Sequence, residues 1–426
     1  MPPRPAQART TRRVAPPLEH RILMTATLCL IAFGAVMVYS ASSPEGAING
    51  GYGMSEFLMY LFAAGLGLVA MRASEQYGLK WLTPQVTRIL LYGATALLVA
   101  VMVPGIGKSE GTIAHRWIGA GPLQFQPSEL AKFALVLYAA RYLADNPRRL
   151  QRGFKPAIAP IAVAVGPACL LIAVEPDLGT TIVCFLTVVS MVVVAGVPGG
   201  YITKIFMFAG LGLVLMVLVH PYEATRLTSF LHPFSQQSST GWQSAQSQTA
   251  VGSGGLSGVG LGQSVGKDMW LPEAQTDFIL AVIGEELGVL GILVLASLYG
   301  MIAYAGMRTA RRAATRYTKL LASGLTSLIL CQGILNIFVV LGIAPLTGVP
   351  LPFISYAPTN LLVMLVSIGI LLGIARPAAR ELRLVDVEEQ RRTAAVAYDG
   401  PADPGRDRGH SRTRGTGTGR SRRAAS

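Results

Sequence analysis

Long apolar stretches alternate with short polar segments over most of the chain. A membrane-spanning helix needs about 20 predominantly apolar residues. Ten stretches meet or approach this length: 22–41, 57–71, 89–103, 130–144, 157–173, 178–197, 202–219, 278–304, 320–342 and 352–375. The second, third and fourth are short and need interfacial residues to complete them. The pattern predicts an all-α integral membrane protein with about ten transmembrane helices and a long loop between helices seven and eight.

The first apolar stretch follows an arginine-rich start and ends near Ser40-Ala41-Ser42, as a secretory signal peptide would. It is longer than a typical signal-peptide core, and nine more apolar stretches follow it. We therefore interpret it as a retained first helix. The predicted organisation is a cytoplasmic N-terminal tail at 1–21, a ten-helix domain at 22–376 and a basic cytoplasmic tail at 377–426.

Two polar segments stand apart from the helices. The loop at 220–277 is rich in Gly, Ser and Gln, and its glycine spacing at 252–262 fits neither the P-loop nor the dinucleotide fingerprint. We interpret that run as a flexible re-entrant or surface segment. The tail at 377–426 sets arginines among Gly, Ser and Thr, which cannot bury a core. It is predicted to be disordered and drawn to anionic lipid headgroups, with nucleic-acid binding a weaker option.

Composition and charge fit this membrane arrangement. Hydrophobic residues make up 51% and charged residues 14%, against about 25% charged in soluble domains. This excludes a disordered chain and argues against a soluble globule. The net charge is +14, yet 31 of the 36 cations fall on one side of the predicted spans. The positive-inside rule makes that side cytoplasmic and, for an even number of spans, places both termini there. The opposite side is acidic, as expected for polar chemistry outside.

All four cysteines, Cys29, Cys169, Cys184 and Cys331, lie within predicted spans. No disulfide framework is therefore implied, and the cysteines are interpreted as small apolar fillers. No Cys/His spacing indicates a metal site.

Ionisable residues at the edges of spans are costly and mark candidate functional sites. Ser128 is expected to cap the fourth helix, with Glu129 in its first turn. Glu129 and Lys132 are three residues apart, so they share a face and can pair. The pair is either a structural ion pair or a direct ligand. After the fifth helix, Glu175 precedes Asp177, which is expected to cap the sixth.

The densest polar signal runs from Trp270 to Gly288, where the long loop enters the eighth helix. Asp277 lies at a predicted N-cap position, and capping alone would explain it. A carboxylate at the membrane surface, with Arg116 and Arg226 in nearby outer segments, is also suited to take a proton from a hydroxyl. Glu285 and Glu286 lie two turns deeper, and at least one must face the bundle interior.

Several motifs together resemble the SEDS proteins (shape, elongation, division and sporulation), the FtsW/RodA group of bacteria. They occur in family order over about 350 residues: Arg116-Trp117-Ile118, Gln126 to Lys132, Pro176 to Thr180, Arg226 to Phe230, Gly258 to Gly262, Leu271-Pro272-Glu273-Ala274, Thr276-Asp277-Phe278, Gln332, Asn336 and Pro350 to Tyr356. Glu273-Ala274 and Gly262-Gln263-Ser264 with Lys267 resemble the division branch, FtsW, more closely than RodA.

This resemblance implies the SEDS fold and a peptidoglycan glycosyltransferase that polymerises lipid II at the outer face of the cytoplasmic membrane. Asp277 would be the base, and undecaprenyl pyrophosphate the leaving group. The other residues implied to bind substrate or pyrophosphate, or to support the site, are Arg116, Glu129, Lys132, Arg226, Glu273, Gln332 and Ser355. A divalent cation, Mg or Mn, bridging the pyrophosphate is a further expectation.

The implied partners are a class B penicillin-binding protein (the transpeptidase), other division or elongation proteins, and membrane lipids, with no nucleic acid. The expected location is the bacterial inner membrane and, for a division protein, the septum. Two alternatives remain open: a lipid-linked precursor flippase and a non-catalytic division scaffold. Flippase sites lie near mid-membrane, whereas most acids here lie at the outer edge.

The chain departs from the family pattern at three places. The usual Ser-Tyr-Gly-Gly-Ser-Ser stretch ends here in Ala357-Pro358-Thr359-Asn360, which changes the backbone freedom at the entry to the tenth helix. Gln275 replaces the usual His before Thr-Asp. The segment before Arg116 holds an insertion with His115. Asp277 and both key arginines are present, so activity is expected.

Overall fold

The computed structural model describes residues 17–48, 53–103, 105, 107–108, 116–120, 123–175, 177–219, 230, 240–267 and 271–376. Both predicted tails, apart from residues 17–21, lie outside these residues, as does Arg226. The helices are α1 Leu18–Ile48, α2 Gly53–Trp81, α3 Pro84–Val101, α4 Pro127–Asp145, α5 Pro147–Arg152, α6 Phe154–Val174, α7 Leu178–Val194, α8 Gly199–Val219, α9 Thr240–Ser253, α10 Ile279–Arg312, α11 Arg316–Val340 and α12 Pro358–Ala375.

The helical membrane fold predicted from the apolar pattern is confirmed, and each of the ten predicted stretches falls on a helix. Within the described residues, seven helices are long and apolar enough to cross a membrane: α1, α2, α3, α6, α10, α11 and α12. Helix α4 carries four ionisable residues and α7 has only 17 residues. A count of ten spans therefore stays a prediction. A small antiparallel sheet was not predicted: β1 Gly107–Lys108, β2 Trp117–Ala120 and β3 Leu123–Phe125.

Helices α1 and α10 pack together as an antiparallel pair joined by polar contacts at both ends. At one end Glu19 pairs with Arg308 at 2.6 Å, and at the other Ser40 donates to Glu286 at 2.7 Å. The rise along α1 from Glu19 to Ser40 is about 32 Å, at about 1.5 Å per residue. This distance is close to the thickness of the hydrocarbon core of a bilayer, about 30 Å. Ser40 and Glu286 lie at the end that the charge pattern predicts to face outward.

Helix α10 is broken at Gly288, whose backbone is non-helical (φ 65°, ψ −162°). The glycine-rich run supplies hydrogen bonds to the backbone around the break, because Val259 N–H donates to the Glu285 carbonyl and Val289 N–H to the Gly255 carbonyl, both at 3.0 Å. A Cβ on Gly258 would lie 2.1 Å from the Glu286 carbonyl oxygen, so only glycine fits there. Backbone hydrogen bonds thus join the run to the helix break, while most of its residues are exposed, as predicted for a surface segment. Its predicted flexibility stays a prediction.

Residues 341–357 join the end of α11 to α12, and the last part of this connection, residues 349–357, is an irregular segment. Side chains from other helices satisfy its carbonyls, as irregular backbone at membrane depth requires: Tyr60 donates to Phe353 and Tyr299 to Pro352, both at 2.6 Å. The predicted tenth stretch began at 352, but helix α12 begins six residues later. Pro358 occupies its first turn, where the missing N–H costs nothing.

Candidate active site

A buried charge network connects α4, α11 and α12. The Lys132 ammonium donates to Glu129 Oε1 and to Gln332 Oε1, both at 2.8 Å. The Asn360 amide donates to Glu129 Oε2 at 2.7 Å. Glu129 and Lys132 are each 1% exposed. Both carboxylate oxygens therefore have a donor, which is what permits an ion pair to stay buried.

The sequence predicted the Glu129–Lys132 pair, and the structure confirms it. The prediction that Ser128 caps α4 is wrong. The N-cap residue is Gln126, and the helix begins at Pro127, so Ser128 already lies inside the first turn. Its buried hydroxyl has no hydrogen-bond partner among the described residues.

The network extends from Gln332 to the segment beside Asp277. The Gln332 amide donates to the Pro350 carbonyl at 2.9 Å. One turn further along α11, the Asn336 amide donates to the carbonyls of Val349 and Asp277, both at 2.8 Å. A continuous set of contacts thus connects the buried ion pair with the backbone of Asp277.

Asp277 is half-buried and lies two residues before the start of α10. The predicted N-cap role is wrong, because the capping position is Phe278 and no side chain caps the helix. The Asp277 carboxylate instead lies against Gly348, where an added Cβ would come within 3.4 Å of Oδ2. Asp277 therefore lies beside an irregular backbone segment and does not cap a helix.

Glu273 and Ser355 shape the backbone around Asp277. Glu273 is exposed and has a left-handed backbone (φ 59°), uncommon for a residue other than glycine. Its carboxylate accepts a bond from the Thr276 hydroxyl at 2.7 Å. The Ser355 hydroxyl accepts a bond from Leu351 N–H at 2.8 Å. Both predicted site residues thus stabilise turns; the described contacts do not show either of them binding substrate.

Arg116 and two acidic residues form a second polar group at the start of α7. The half-buried Arg116 donates from Nε to the Glu175 carbonyl at 3.0 Å. Asp177 caps α7 by accepting from Thr180 N–H at 3.0 Å, which confirms its predicted role. Glu175 is buried, and its Oε1 has no hydrogen-bond partner among the described residues. Burial and the nearby Asp177 raise the pKa of Glu175 to about 8, although Arg116 lowers it.

Glycine packing brings this second group next to the Asp277 segment. A Cβ on Gly179, in the first turn of α7, would lie 2.5 Å from the Thr347 carbonyl oxygen. Gly348, the next residue, contacts the Asp277 carboxylate. The structure therefore brings Gln332 and Asp277 to one segment, residues 347–350. Glu129 and Lys132 are connected to that segment through Gln332, and Arg116 contacts Glu175, four residues before Gly179. Arg226 lies outside the described residues.

Two residues of these networks carried only weak signals in the sequence. Asn360 belongs to the stretch that departs from the family pattern, yet it donates to the buried Glu129. The signal available in the sequence was that this amide lies in the first turn of an otherwise apolar helix. Lys267 lies buried beside Glu286; the sequence placed it in a stretch that resembles FtsW but did not indicate that its ammonium is buried.

The raised pKa of Glu175 predicts a specific pH dependence of stability. A carboxyl whose pKa is raised on folding contributes most to stability when the pH is below the ordinary pKa of the group, near 4.5. That stabilisation falls as pH rises and is lost through about pH 8. Glu175→Gln mimics the protonated acid, so the variant is expected to lose less stability than wild type between pH 5.5 and 8.5. Unfolding temperatures in detergent at each pH check this, and parallel curves for the two proteins would contradict it.

The described residues hold no group of three or more His, Cys, Asp or Glu side chains that could bind a metal ion. The expected Mg or Mn ion thus has no protein-only ligand set there. Magnesium in phosphate-transfer sites is commonly held by one or two carboxylates and by the substrate's own phosphates. The metal requirement stays a prediction, and no step below depends on it.

The fold and the site define a multi-pass membrane protein with buried charged groups around an irregular segment. The chain belongs to the FtsW/RodA/SpoVE family of cell cycle proteins, because the family model matches residues 20–380.

Named relatives agree with this family. The chain is 37% identical to stage V sporulation protein E of Bacillus subtilis, over 86% of this chain and 99% of that protein. It is also 37% identical to a probable peptidoglycan glycosyltransferase FtsW of Trichlorobacter lovleyi, over 83% of this chain and 92% of that one. Among solved structures, a chain of a peptidoglycan synthase complex that coordinates polymerisation and crosslinking matches with a TM-score of 0.68 and 27% identity, over 83% of this chain and 96% of that chain.

Proposed function

We propose that this chain is a peptidoglycan glycosyltransferase that polymerises lipid II at the outer face of the bacterial cytoplasmic membrane. The enzyme class follows from the family, several of whose members are named probable peptidoglycan glycosyltransferases. The observation that carries the proposal is the continuous set of contacts from the buried Glu129–Lys132 pair, through Gln332 and Asn336, to Asp277. Such a network fixes the backbone of Asp277 and thereby the position from which its carboxylate extends, and catalysis requires such positioning.

In the proposed reaction Asp277 acts as a general base. It takes the proton from a sugar hydroxyl of the acceptor as that oxygen attacks the anomeric carbon of the lipid-linked donor. The new glycosidic C–O bond forms while the bond to the pyrophosphate breaks, and undecaprenyl pyrophosphate leaves. The proton on Asp277 then passes to water. Arg116, with Arg226, would offset the negative charge that develops on the leaving pyrophosphate.

The protein is a multi-pass membrane protein, and both termini are proposed to lie in the cytoplasm. A class B penicillin-binding protein is the proposed partner, since the solved relative belongs to a complex that joins polymerisation with crosslinking. We assign the chain to cell division at the septum from its FtsW-like motifs. A sporulation protein is equally similar in sequence identity, so depletion followed by microscopy of septa is the test of that assignment.

Purified protein, with and without its partner, should convert fluorescent lipid II into glycan strands that a gel separates by length. The same preparation in sealed vesicles should show no lipid II translocation above protein-free vesicles. Translocation without polymer would instead support a flippase. Full septal growth in cells, combined with no polymer from any preparation, would support a scaffold.

A further inference from the structure

A second buried polar cluster lies outside the site described above. Lys267 donates from its ammonium to Glu286 Oε1 at 3.0 Å and to the Ser40 hydroxyl at 3.2 Å. Ser40 itself donates to both Glu286 oxygens, at 2.7 and 2.9 Å. All three residues are buried. This Ser40–Lys267–Glu286 cluster joins α1, the long loop and α10 at the end that the charge pattern predicts to face outward.

The neighbouring carboxylate, Glu285, holds the same stretch of loop. Its Oε1 accepts from Val265 N–H at 3.0 Å, and its Oε2 accepts from the Ser264 hydroxyl at 2.5 Å and from Gly266 N–H at 3.2 Å. Two adjacent acids on α10 therefore fix residues 264–267, one mainly through the loop backbone and the other through the Lys267 ammonium.

This fixed stretch is the start of the loop that carries Asp277. Leu271 N–H donates to the Gly266 carbonyl at 2.9 Å. This hydrogen bond attaches Leu271, and the residues that follow it towards Asp277, to the fixed stretch. Asp277 lies near the end of this loop, two residues before α10 begins, and Glu286 lies on that helix nine residues after Asp277. Both ends of the Asp277 loop are thus anchored to the outer segment of α10, residues 279–287.

A buried ion pair is expected to add little to the stability of the fold at this position. A buried pair costs desolvation, and replacing it by uncharged groups of similar volume is often neutral for stability. Charge-assisted hydrogen bonds do, however, fix direction and distance more strictly than apolar contacts do. The geometry of the cluster therefore suits orientation of the loop better than it suits strengthening of the fold.

We propose that Ser40, Lys267 and Glu286 are positioning residues that fix the loop carrying Asp277 and thereby set the rate of glycosyl transfer. This inference rests on the proposed function. The cluster touches neither reacting atom, so it acts on the turnover rate through the placement of Asp277. A misplacement of about 1 Å at a catalytic group can cost about 10²-fold in rate.

The test uses the full-length protein with its partner and the double variant Lys267→Met/Glu286→Gln, which removes both charges and leaves no unpaired ion. We expect kcat for lipid II polymerisation to fall tenfold or more, KM to change less than threefold, and amide hydrogen exchange in residues 271–278 to become faster. Ser40→Ala removes only one hydroxyl, so the same changes in kcat and hydrogen exchange should be smaller. It provides the test if the double variant fails to fold.

Lys204→Met is the matched control, because Lys204 is an exposed lysine on α8 and should leave all three measurements unchanged. Faster exchange with an unchanged kcat would overturn the proposal, since the loop would then move without consequence. A lower kcat with unchanged exchange would also overturn it. If the wild type makes no glycan, the proposed function fails, while exchange in 271–278 still decides whether the cluster holds the loop.

Discussion

Replacing Asp277 by asparagine is expected to lower the rate of glycan polymerisation by about 10²–10⁴-fold, the usual contribution of a general base. Asparagine has nearly the same size and shape as aspartate, but its side chain is a neutral amide that cannot accept the acceptor's proton at neutral pH. The position of the residue should survive, because Asn336 holds its backbone carbonyl and not its side chain. We therefore expect KM for lipid II and the unfolding temperature to stay near the wild-type values.

The measurement is initial rate against lipid II concentration for both proteins in the presence of the partner. Asp145→Asn is the matched control, since it makes the same chemical change at an exposed position at the opposite end of α4 from Glu129. An Asp277→Asn variant that polymerises at the wild-type rate would show that the base lies elsewhere. A variant that binds lipid II poorly but turns over normally would assign Asp277 to binding.

The apolar pattern predicted the helices well because hydrophobicity is a property of each residue and its near neighbours. It could not predict the irregular segments. The sequence of residues 349–357 predicts the end of a loop and the beginning of a helix. In the structure, Tyr60 and Tyr299, which are remote in sequence, donate hydrogen bonds to two carbonyls of this segment. The conformation of the glycine-rich run at 252–262 was likewise predicted from its own sequence, whereas it depends on contacts with the helix break at Gly288.

The same distinction separates the site predictions. The pairing of Glu129 with Lys132 was predicted correctly because residues three positions apart on a helix lie on the same face. The partners of that pair, Gln332 and Asn360, come from helices 200 or more residues away, and only the packed fold brings them together. Predictions from local sequence rules were wrong where tertiary contacts determine the structure, as for the N-cap role predicted for Asp277.

Lys132→Met should destabilise the protein by about 3–5 kcal/mol, because it leaves Glu129 as a buried carboxylate without its cation. A fall in unfolding temperature in detergent measures this. Lys80→Met is the matched control, since Lys80 is exposed at the end of α2. An equal unfolding temperature for Lys132→Met and wild type would mean that the buried pair contributes nothing to folding.

The variant Lys132→Met/Glu129→Gln separates folding from function. It leaves no unpaired charge, and Asn360 can still bond the new amide, so we expect most of the stability to return. Lys132 also orients Gln332, which holds Pro350 beside the Asp277 segment, and that contact is still lost. Polymerisation should therefore remain at least tenfold below wild type, since about 1.4 kcal/mol of transition-state stabilisation is a tenfold change in rate. A stable double variant with full activity would instead make the Glu129–Lys132 pair purely structural, which is the other interpretation that the sequence left open.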